Sequence, residues 1–141
     1  MQVRFYYESV IRIRQIRRLK SFIAQIFKTE GKKLNQLTYI FCSDEYLLQI
    51  NRQFLQHDYY TDIISFDLSE HPGAPTEGEI YISTDRVKDN ASIQHTTIEQ
   101  ELHRVIFHGA LHLCGYKDKQ KKQQEIMRVK EDHYLSAYGL L

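Results

Sequence analysis

The chain has 141 residues, of which 42% are hydrophobic and 26% are charged, and its formal net charge is +1. This length and composition favour one globular domain that buries a core without disulfides. No run approaches the roughly 18 apolar residues of a membrane span, no apolar leader is recognisable, and the two cysteines form no disulfide framework. We therefore expect a soluble, cytoplasmic protein with no membrane association.

The first half of the chain predicts strands and helices in alternation. The aromatic-rich residues 3–9 predict a strand, and apolar residues at intervals of three and four predict an amphipathic helix over 10–31. A second strand is expected over 37–43. Ser43 is then the expected cap of a helix over 44–55.

The second half predicts an antiparallel strand pair and then helices. Strands are expected over 62–68 and 78–83, on either side of a loop that holds both prolines. Three helices are expected after them, over 84–92, 98–113 and 122–138. A few strands followed by clustered helices indicate an α+β fold, in which residues 1–141 form one compact domain with a small mixed sheet of about four strands and about five helices.

The charges are unevenly distributed along the chain. Residues 1–33 contain nine Lys and Arg against two Asp and Glu, residues 34–101 contain three against twelve, and residues 102–141 contain seven against four. Such segregation is compatible with an anionic partner at one face, and a solvated basic helix gives the same pattern. The basic segment 4–33 is therefore a candidate contact for such a partner.

A metal-binding pattern occurs in the stretch HGALHLCGYKD, residues 108–118. His108 and His112 are four residues apart, which places both imidazoles on one side of a helix. Gly115 can end this helix in a left-handed conformation and turn Asp118 back over the last turn. Two helical ligands and a third from the following turn resemble the zincin arrangement, and three protein ligands leave one coordination position open. The alternative is that both histidines are ordinary surface or core residues.

The neighbouring residues narrow the chemistry of this site. His103 and Cys114 point away from the two ligands on a helical wheel, so we do not expect either to bind the metal. Gly109 occupies the position at which a zinc peptidase carries its glutamate general base, which disfavours peptide hydrolysis. Glu101 lies two turns before the ligands at a similar angle. It is a candidate hydrogen-bond partner of a ligand imidazole, or a partner of the helix dipole.

Several segments that cover most of residues 45–118 resemble the YbeY family of bacterial rRNA-maturation endoribonucleases. Residues 108–118 are similar to the family's H-G-x-L-H-L-x-G-Y-x-H. Residues 50–66 are similar to L-N-x-x-Y-R-x-K-D-x-x-T-D-V-L-S-F, residues 78–83 are similar to G-D-I-x-I-S, and Glu101 with the next leucine matches an E-L pair.

The resemblance implies a zincin-like metal helix in a compact α+β fold, with one zinc ion per chain. His108 and His112 match the first two metal ligands, and other divalent metals remain possible. It also implies cleavage of single-stranded rRNA, processing of the 16S rRNA 3′ end, ribosome quality control and the ribosome or its small subunit as partner. The basic segment 4–33 would then be a candidate RNA contact.

Three positions depart from the family pattern. Asp118 replaces the third histidine, and a carboxylate is an acceptable zinc ligand, so we predict the ligand set His108, His112 and Asp118. Leu55 replaces the arginine that is associated with activity, and His57 replaces a lysine. Arg52, one helical turn before Leu55, is a candidate substitute, and its alternative is an ordinary surface arginine.

The sequence leaves three functional hypotheses. The first is a metal-dependent, single-strand-specific endoribonuclease that acts in rRNA maturation, with Arg52 and Glu101 as weak candidates for catalytic residues. The second is a metal-stabilised ribosome-binding factor with little catalysis, which the replacements at Leu55 and Asp118 suggest. The third, a zincin-like peptidase, is disfavoured by Gly109.

Overall fold

The strands form one mixed sheet in the computed structural model, which describes residues 2–141. Their order across the sheet is β1-β2-β4-β3, for which the bounds are β1 (Val3–Tyr7), β2 (Leu34–Cys42), β3 (Ile63–Asp67) and β4 (Thr76–Ser83). β2 pairs in parallel with both β1 and β4, whereas β3 pairs antiparallel with β4 at the sheet edge. The predicted α+β class, the small mixed sheet and the antiparallel pair are confirmed.

Five helices surround this sheet in the described part of the chain: α1 (Ile16–Thr29), α2 (Asp44–Leu55), α3 (Thr84–Gln94), α4 (Ile98–Leu113) and α5 (Lys121–Tyr138). The predicted cap of α2 is present, because the hydroxyl of Ser43 accepts from the N–H of Tyr46. The hydroxyl of Thr97 caps α4 in the same way, by accepting from the N–H of Gln100. Apart from α1, the predicted boundaries differ from the observed ones by at most three residues, at the start of β2.

The predicted helix over 10–31 is wrong at its start, because α1 begins only at Ile16. In the preceding residues, charged Arg12 and Arg14 alternate with Ile11 and Ile13, which pack partly buried against the core. An alternation of period two is typical of an extended segment. The same isoleucines also fit the three- and four-residue spacing of the helix that follows, which explains the wrong start. Gln15 then enters α1 in the left-handed conformation, at φ 50°.

The two faces of the sheet carry separate apolar clusters. Leu37, Tyr39 and Phe41 of β2 face the larger cluster, which contains residues of α1, α4 and α5. Cys42 faces the other side, where it packs with Leu47 of α2 in a smaller cluster. Because side chains alternate along a strand, β2 supplies apolar residues to both faces and lies at the centre of the domain.

Helix α4 is buried on more than one face. Ile98 at its start is 46% exposed, whereas the polar residues Glu101, His103 and Arg104 are buried. The physical reason is that α1, α3, α5 and the sheet all pack against α4. A helical wheel with a single apolar face underestimates the burial of such a helix.

Gly109 allows α4 to approach the sheet closely. A Cβ atom at this position would lie 2.9 Å from Cδ1 of Ile80 and 3.0 Å from Cδ1 of Ile63. Both distances are shorter than ordinary van der Waals contact, so a side chain at this position would require the Ile80 and Ile63 side chains or the helix to shift. Within residues 2–141, no helix is long and apolar enough to cross a membrane.

Candidate metal centre

The structure brings the three predicted ligands together at the C-terminal end of α4. His108 and His112 lie one helical turn apart with their rings edge to face, and the ring centroids are separated by 4.6 Å. Gly115 follows the helix at φ +109°, a conformation that L side chains rarely adopt, and the chain then returns so that Asp118 approaches both imidazoles. One potential ligand atom from each residue lies within 4.8 Å of the other two.

The distances between these atoms fit a small tetrahedral metal ion. Nε2 of His108 and Nε2 of His112 lie 3.2 and 3.3 Å from the same Oδ2 atom of Asp118. Two ligand atoms that are each about 2.0–2.1 Å from a tetrahedral zinc ion are separated by roughly 3.3 Å. Two imidazoles and a carboxylate suit zinc or a related transition metal better than Mg²⁺ or Ca²⁺, which prefer oxygen ligands alone.

A buried carboxylate behind the centre orients one of the ligands. Nδ1 of His108 lies 2.6 Å from Oε2 of Glu131, and Glu131 also accepts from Nη1 of Arg104 at 3.2 Å. A hydrogen bond donated by Nδ1 leaves Nε2 of His108 as the unprotonated nitrogen that faces Asp118. This arrangement of carboxylate, histidine and metal position is common in zinc proteins.

The hydrogen bond that we expected from Glu101 is made by Glu131 instead. Helix α5 packs along α4 and places Glu131 beside His108, whereas Glu101 is two turns further back. Glu101 is only 4% exposed, and its Oε1 atom has no hydrogen-bond partner among the described residues. Burial raises the pKa of Glu101, although the positive charge of Arg104 opposes this effect.

The environment of His108 favours its charged form when no metal is present. Burial alone would lower the pKa of this imidazole. The hydrogen bond to Glu131, together with the negative charges of Glu131, Asp118 and Asp62, outweighs burial and raises the pKa. The residues around His108 therefore form an acidic environment that also suits a bound cation.

A cavity of about 560 Å³ opens in front of the three ligands. Its opposite wall is formed by β3 and the residues before it, including Asp62, Ser65 and Asp67. The two aspartates, which belong to a segment that the sequence predicts only as a strand, thus line the cavity. Since β3 is an edge strand, its free edge offers backbone groups that can align an extended substrate.

Comparison with known proteins identifies the family. The family model described as Endoribonuclease YbeY matches residues 7–139. A protein named Endoribonuclease YbeY from Cytophaga hutchinsonii is 56% identical over 132 residues, which cover 94% of this chain and 92% of the relative. The chain belongs to the YbeY family.

A second relative and a solved structure support this assignment. The Endoribonuclease YbeY of Parabacteroides distasonis is 47% identical and covers 93% of the chain, with 92% of the relative covered. The solution structure of TM1509 from Thermotoga maritima superimposes with a TM-score of 0.67 at 28% identity, and the match covers 96% of this chain and 91% of that one.

Arg52, the candidate substitute for the arginine that Leu55 replaces, does not line the cavity. Leu55 ends α2 and is 40% exposed. Arg52 forms an ion pair with Asp58, in which the two side chains are 54% and 74% exposed. Neither arginine nor lysine is among the side chains that line the cavity in the described residues. The structure therefore does not bring Arg52 together with the metal ligands.

The two competing ligands also lie apart from the centre. Nδ1 of His103 lies 2.6 Å from the backbone oxygen of Glu99, and this imidazole packs between Phe107 and Tyr138. Cys114 is buried in the core, which raises the pKa of its thiol to about 12. Both placements agree with the predicted directions of these side chains on the helical wheel.

Glu131 is the residue of this site that sequence reasoning missed. It lies on the buried stripe of α5, four residues from Met127 and from Leu135. A carboxylate at a core position of a helix must have a partner, because an unpaired buried charge is costly. That conflict between residue type and helical position was the available signal, and it required α5 to be placed against α4.

Proposed function

We propose that this protein is a metal-dependent endoribonuclease that cleaves single-stranded RNA, with one zinc ion bound by His108, His112 and Asp118. The observation that carries this proposal is the convergence of three ligand atoms beside an open cavity. Glu131 holds His108 in the tautomer that a metal requires. Membership of a family named for endoribonuclease activity supports RNA as the substrate.

The chemistry of the cavity suits a phosphodiester that approaches a cation. A divalent ion held by the three ligands would supply Lewis acidity, which polarises a phosphoryl oxygen and stabilises developing negative charge. Asp62, Asp67 and Asp118 give the cavity an acidic lining. Since no lysine or arginine of the described residues lines it, a bound metal would be the strongest source of positive charge for substrate phosphate, and we expect cleavage to depend on the metal.

The packing of Gly109 disfavours the peptidase alternative on steric grounds as well as chemical ones. Peptidases of the H-E-x-x-H type carry their general base at this position. Here a Cβ atom would already lie within 3.0 Å of the sheet side chains Ile80 and Ile63. A glutamate could therefore occupy this position only if these isoleucine side chains or α4 itself shifted.

We further propose that the substrate is rRNA near the 16S 3′ end, that the ribosome or its small subunit is the partner, and that the protein acts in the cytoplasm. The support is the resemblance of the motifs and the basic segment 4–33. Within that segment, Arg18 donates to the backbone oxygen of Tyr138 at 2.7 Å and covers its ring, so it has a structural role. Arg12, Arg14 and Arg17 are exposed and are the better candidates for phosphate contacts.

The experiment compares cleavage of a single-stranded rRNA fragment by wild type, His108→Ala and His133→Ala at matched purity. His133 is exposed on α5 and is the control. We expect cleavage by wild type and by the control, loss of cleavage in His108→Ala, and little cleavage of the same sequence in duplex form. Equal activity in all three proteins would indicate a contaminating nuclease and would refute the enzyme.

A ribosome-binding factor with little catalysis is the second candidate, favoured by the absence of an arginine from the cavity lining. Under this alternative, co-sedimentation with the small subunit survives in His108→Ala, and purified wild type cleaves no RNA. Under the proposed enzyme, wild type cleaves RNA whether or not the ribosome is present.

A further inference from the structure

A second and smaller cavity adjoins the metal centre and has no role in the function proposed above. Its volume is about 220 Å³, and it shares Asp62 and His108 with the larger cavity. Its remaining wall is contributed by three helices, through Asn90 and Gln94 of α3, Glu101, Arg104 and Val105 of α4, and Arg128 and Glu131 of α5. A group in this cavity would therefore lie next to a phosphate at the metal centre.

Glu101 is the unexplained residue of this cavity. Its side chain is buried, and Oε1 has no partner among residues 2–141. The nearby Arg104 donates to Glu131 and pairs with Asp132 at 2.8 Å. Buried polar atoms in native proteins almost always have a hydrogen-bond partner. Oε1 therefore lacks the donor that a buried carboxylate oxygen requires, and a ligand in this cavity that donates a hydrogen bond would supply it.

The other polar groups of the cavity are also free to bind. In the described part of the chain, the side-chain amides of Asn90 and Gln94 make no hydrogen bond. Arg128 is 55% exposed and comes no closer than 4.0 Å to its nearest carboxylate, Glu131. The cavity thus combines the buried acceptor of Glu101, the amides of Asn90 and Gln94, and the half-exposed guanidinium of Arg128. Amides and carboxylates form hydrogen bonds with bases, and a guanidinium can also stack on them.

The charge and size of the cavity limit what it can hold. Asp62, Glu101 and Glu131 line it together with Arg104 and Arg128, and Arg104 is already paired with Glu131 and Asp132, so a phosphate would find little free positive charge. A neutral group with N–H donors is favoured instead. The volume is below the roughly 300–1,000 Å³ of sites for drug-sized ligands, and it suits a single ring system.

We propose that this cavity binds one nucleobase of the RNA strand beside the scissile phosphate, and that Glu101 selects guanine. This inference rests on the proposed ribonuclease function. Guanine presents an N–H and an NH₂ group side by side on its Watson–Crick edge, which a carboxylate accepts together. Uracil presents a single N–H between two carbonyl oxygens, which a carboxylate repels. Glu101 is thus a specificity residue that binds substrate.

Base preference in cleavage gives the first test. The substrates are oligouridine decamers that carry one guanosine, adenosine or cytidine at the centre. Their cleavage is measured with wild type, Glu101→Gln and the exposed control Glu125→Gln. We expect wild type and the control to cleave beside guanosine with kcat/KM roughly tenfold or more above that for uridine, since a good bidentate pair discriminates by this amount. Glu101→Gln should lose most of this preference. Equal kcat/KM for all bases in wild type, or an unchanged preference in Glu101→Gln, would overturn the proposal.

Direct binding gives a second test that does not require cleavage. Guanosine monophosphate should shift the side-chain amide NMR signals of Asn90 and Gln94 in the metal-free protein, and uridine monophosphate, which carries the same phosphate, should not. Glu101→Gln should abolish the shift, and Gln94→Ala, a change at an exposed position, should weaken binding if Glu101→Gln does not fold. Equal shifts with both nucleotides, or none with either, would refute the base site.

The two tests separate the base site from the proposed enzyme. Guanosine-specific shifts in a protein that cleaves no RNA would support the base site and refute the proposed nuclease function. Cleavage without base preference, together with no guanosine-specific shift, would leave the nuclease function standing and remove the base site.

Discussion

Two glutamates near the C-terminal end of α4 have similarly low side-chain exposure, 6% at Glu131 and 10% at Glu30, and different partners. Glu131 accepts from His108 and Arg104, whereas Glu30 accepts from Tyr116, Tyr134 and Lys130. The first set of contacts ends at an imidazole that faces an open cavity. The second joins α1 to α5 and to the segment that carries Asp118. The partners of each carboxylate therefore indicate whether it serves the metal centre or the stability of the fold.

The largest effect is expected at Asp118. Asp118→Ala removes one of three ligands and should abolish stoichiometric zinc binding, whereas Asp118→His supplies an equivalent donor and should keep it. Competition with a colorimetric zinc chelator measures both affinities. Full zinc binding by Asp118→Ala would show that the ligand set is wrong.

Glu131→Gln should weaken zinc binding by roughly 10–100-fold, because loss of a carboxylate that orients a ligand typically has this effect. The amide keeps the shape of the side chain and removes its negative charge. Glu125→Gln, on the exposed face of the same helix, is the matched control and should bind zinc as wild type does. An unchanged affinity in Glu131→Gln would assign Glu131 to stability alone.

Glu30→Gln should lower the free energy of unfolding by roughly 1–3 kcal/mol at neutral pH, the range for hydrogen bonds to a charged group, and leave zinc affinity unchanged. Burial would raise the pKa of Glu30, but the hydrogen bonds from Tyr134, Tyr116 and Lys130 outweigh it and lower the pKa. This stabilisation is therefore present above about pH 4.5, the ordinary value, and is lost as the pH falls through the lower pKa of the folded state.

Denaturant unfolding of wild type and Glu30→Gln across this pH range checks the prediction. The difference between the two proteins should shrink as the solution becomes more acidic. A difference that grows toward low pH would contradict the assigned direction of the shift.

The smallest effect is expected at Arg52. Its ion pair with Asp58 is exposed, and exposed pairs contribute little to stability. Because Arg52 does not line the cavity, Arg52→Gln should leave both RNA cleavage and the unfolding midpoint close to wild type. A large loss of kcat with an unchanged midpoint would instead assign Arg52 to the reaction.

The convergence of the three proposed ligands was predictable from sequence because their geometry is local. A helix fixes the relation between His108 and His112, and Gly115 fixes the turn that returns Asp118. The fold class was predictable for the same reason, since apolar periodicity and caps mark most elements. The predicted start of α1 at residue 10 was wrong because Ile11 and Ile13 fit both a strand-like and a helical spacing.

The residues around the ligands were not predictable because they depend on tertiary packing. Glu131 is 23 positions from His108, and only the docking of α5 on α4 brings them together. The placement of Asp62 at the cavity likewise depends on β3 lying at the sheet edge. Glu101 was identified as a candidate from its helical angle, but its lack of a partner became visible only once the neighbouring helices were in place.

The metal content of freshly purified wild type tests the central claim most directly. We predict about one zinc ion per chain by elemental analysis, loss of single-strand RNA cleavage after removal of that ion, and recovery of cleavage when zinc is restored. Full cleavage by a protein shown to contain no metal would contradict the account, because among the described residues the acidic cavity then holds no metal ion, lysine or arginine to stabilise the charge of the phosphate.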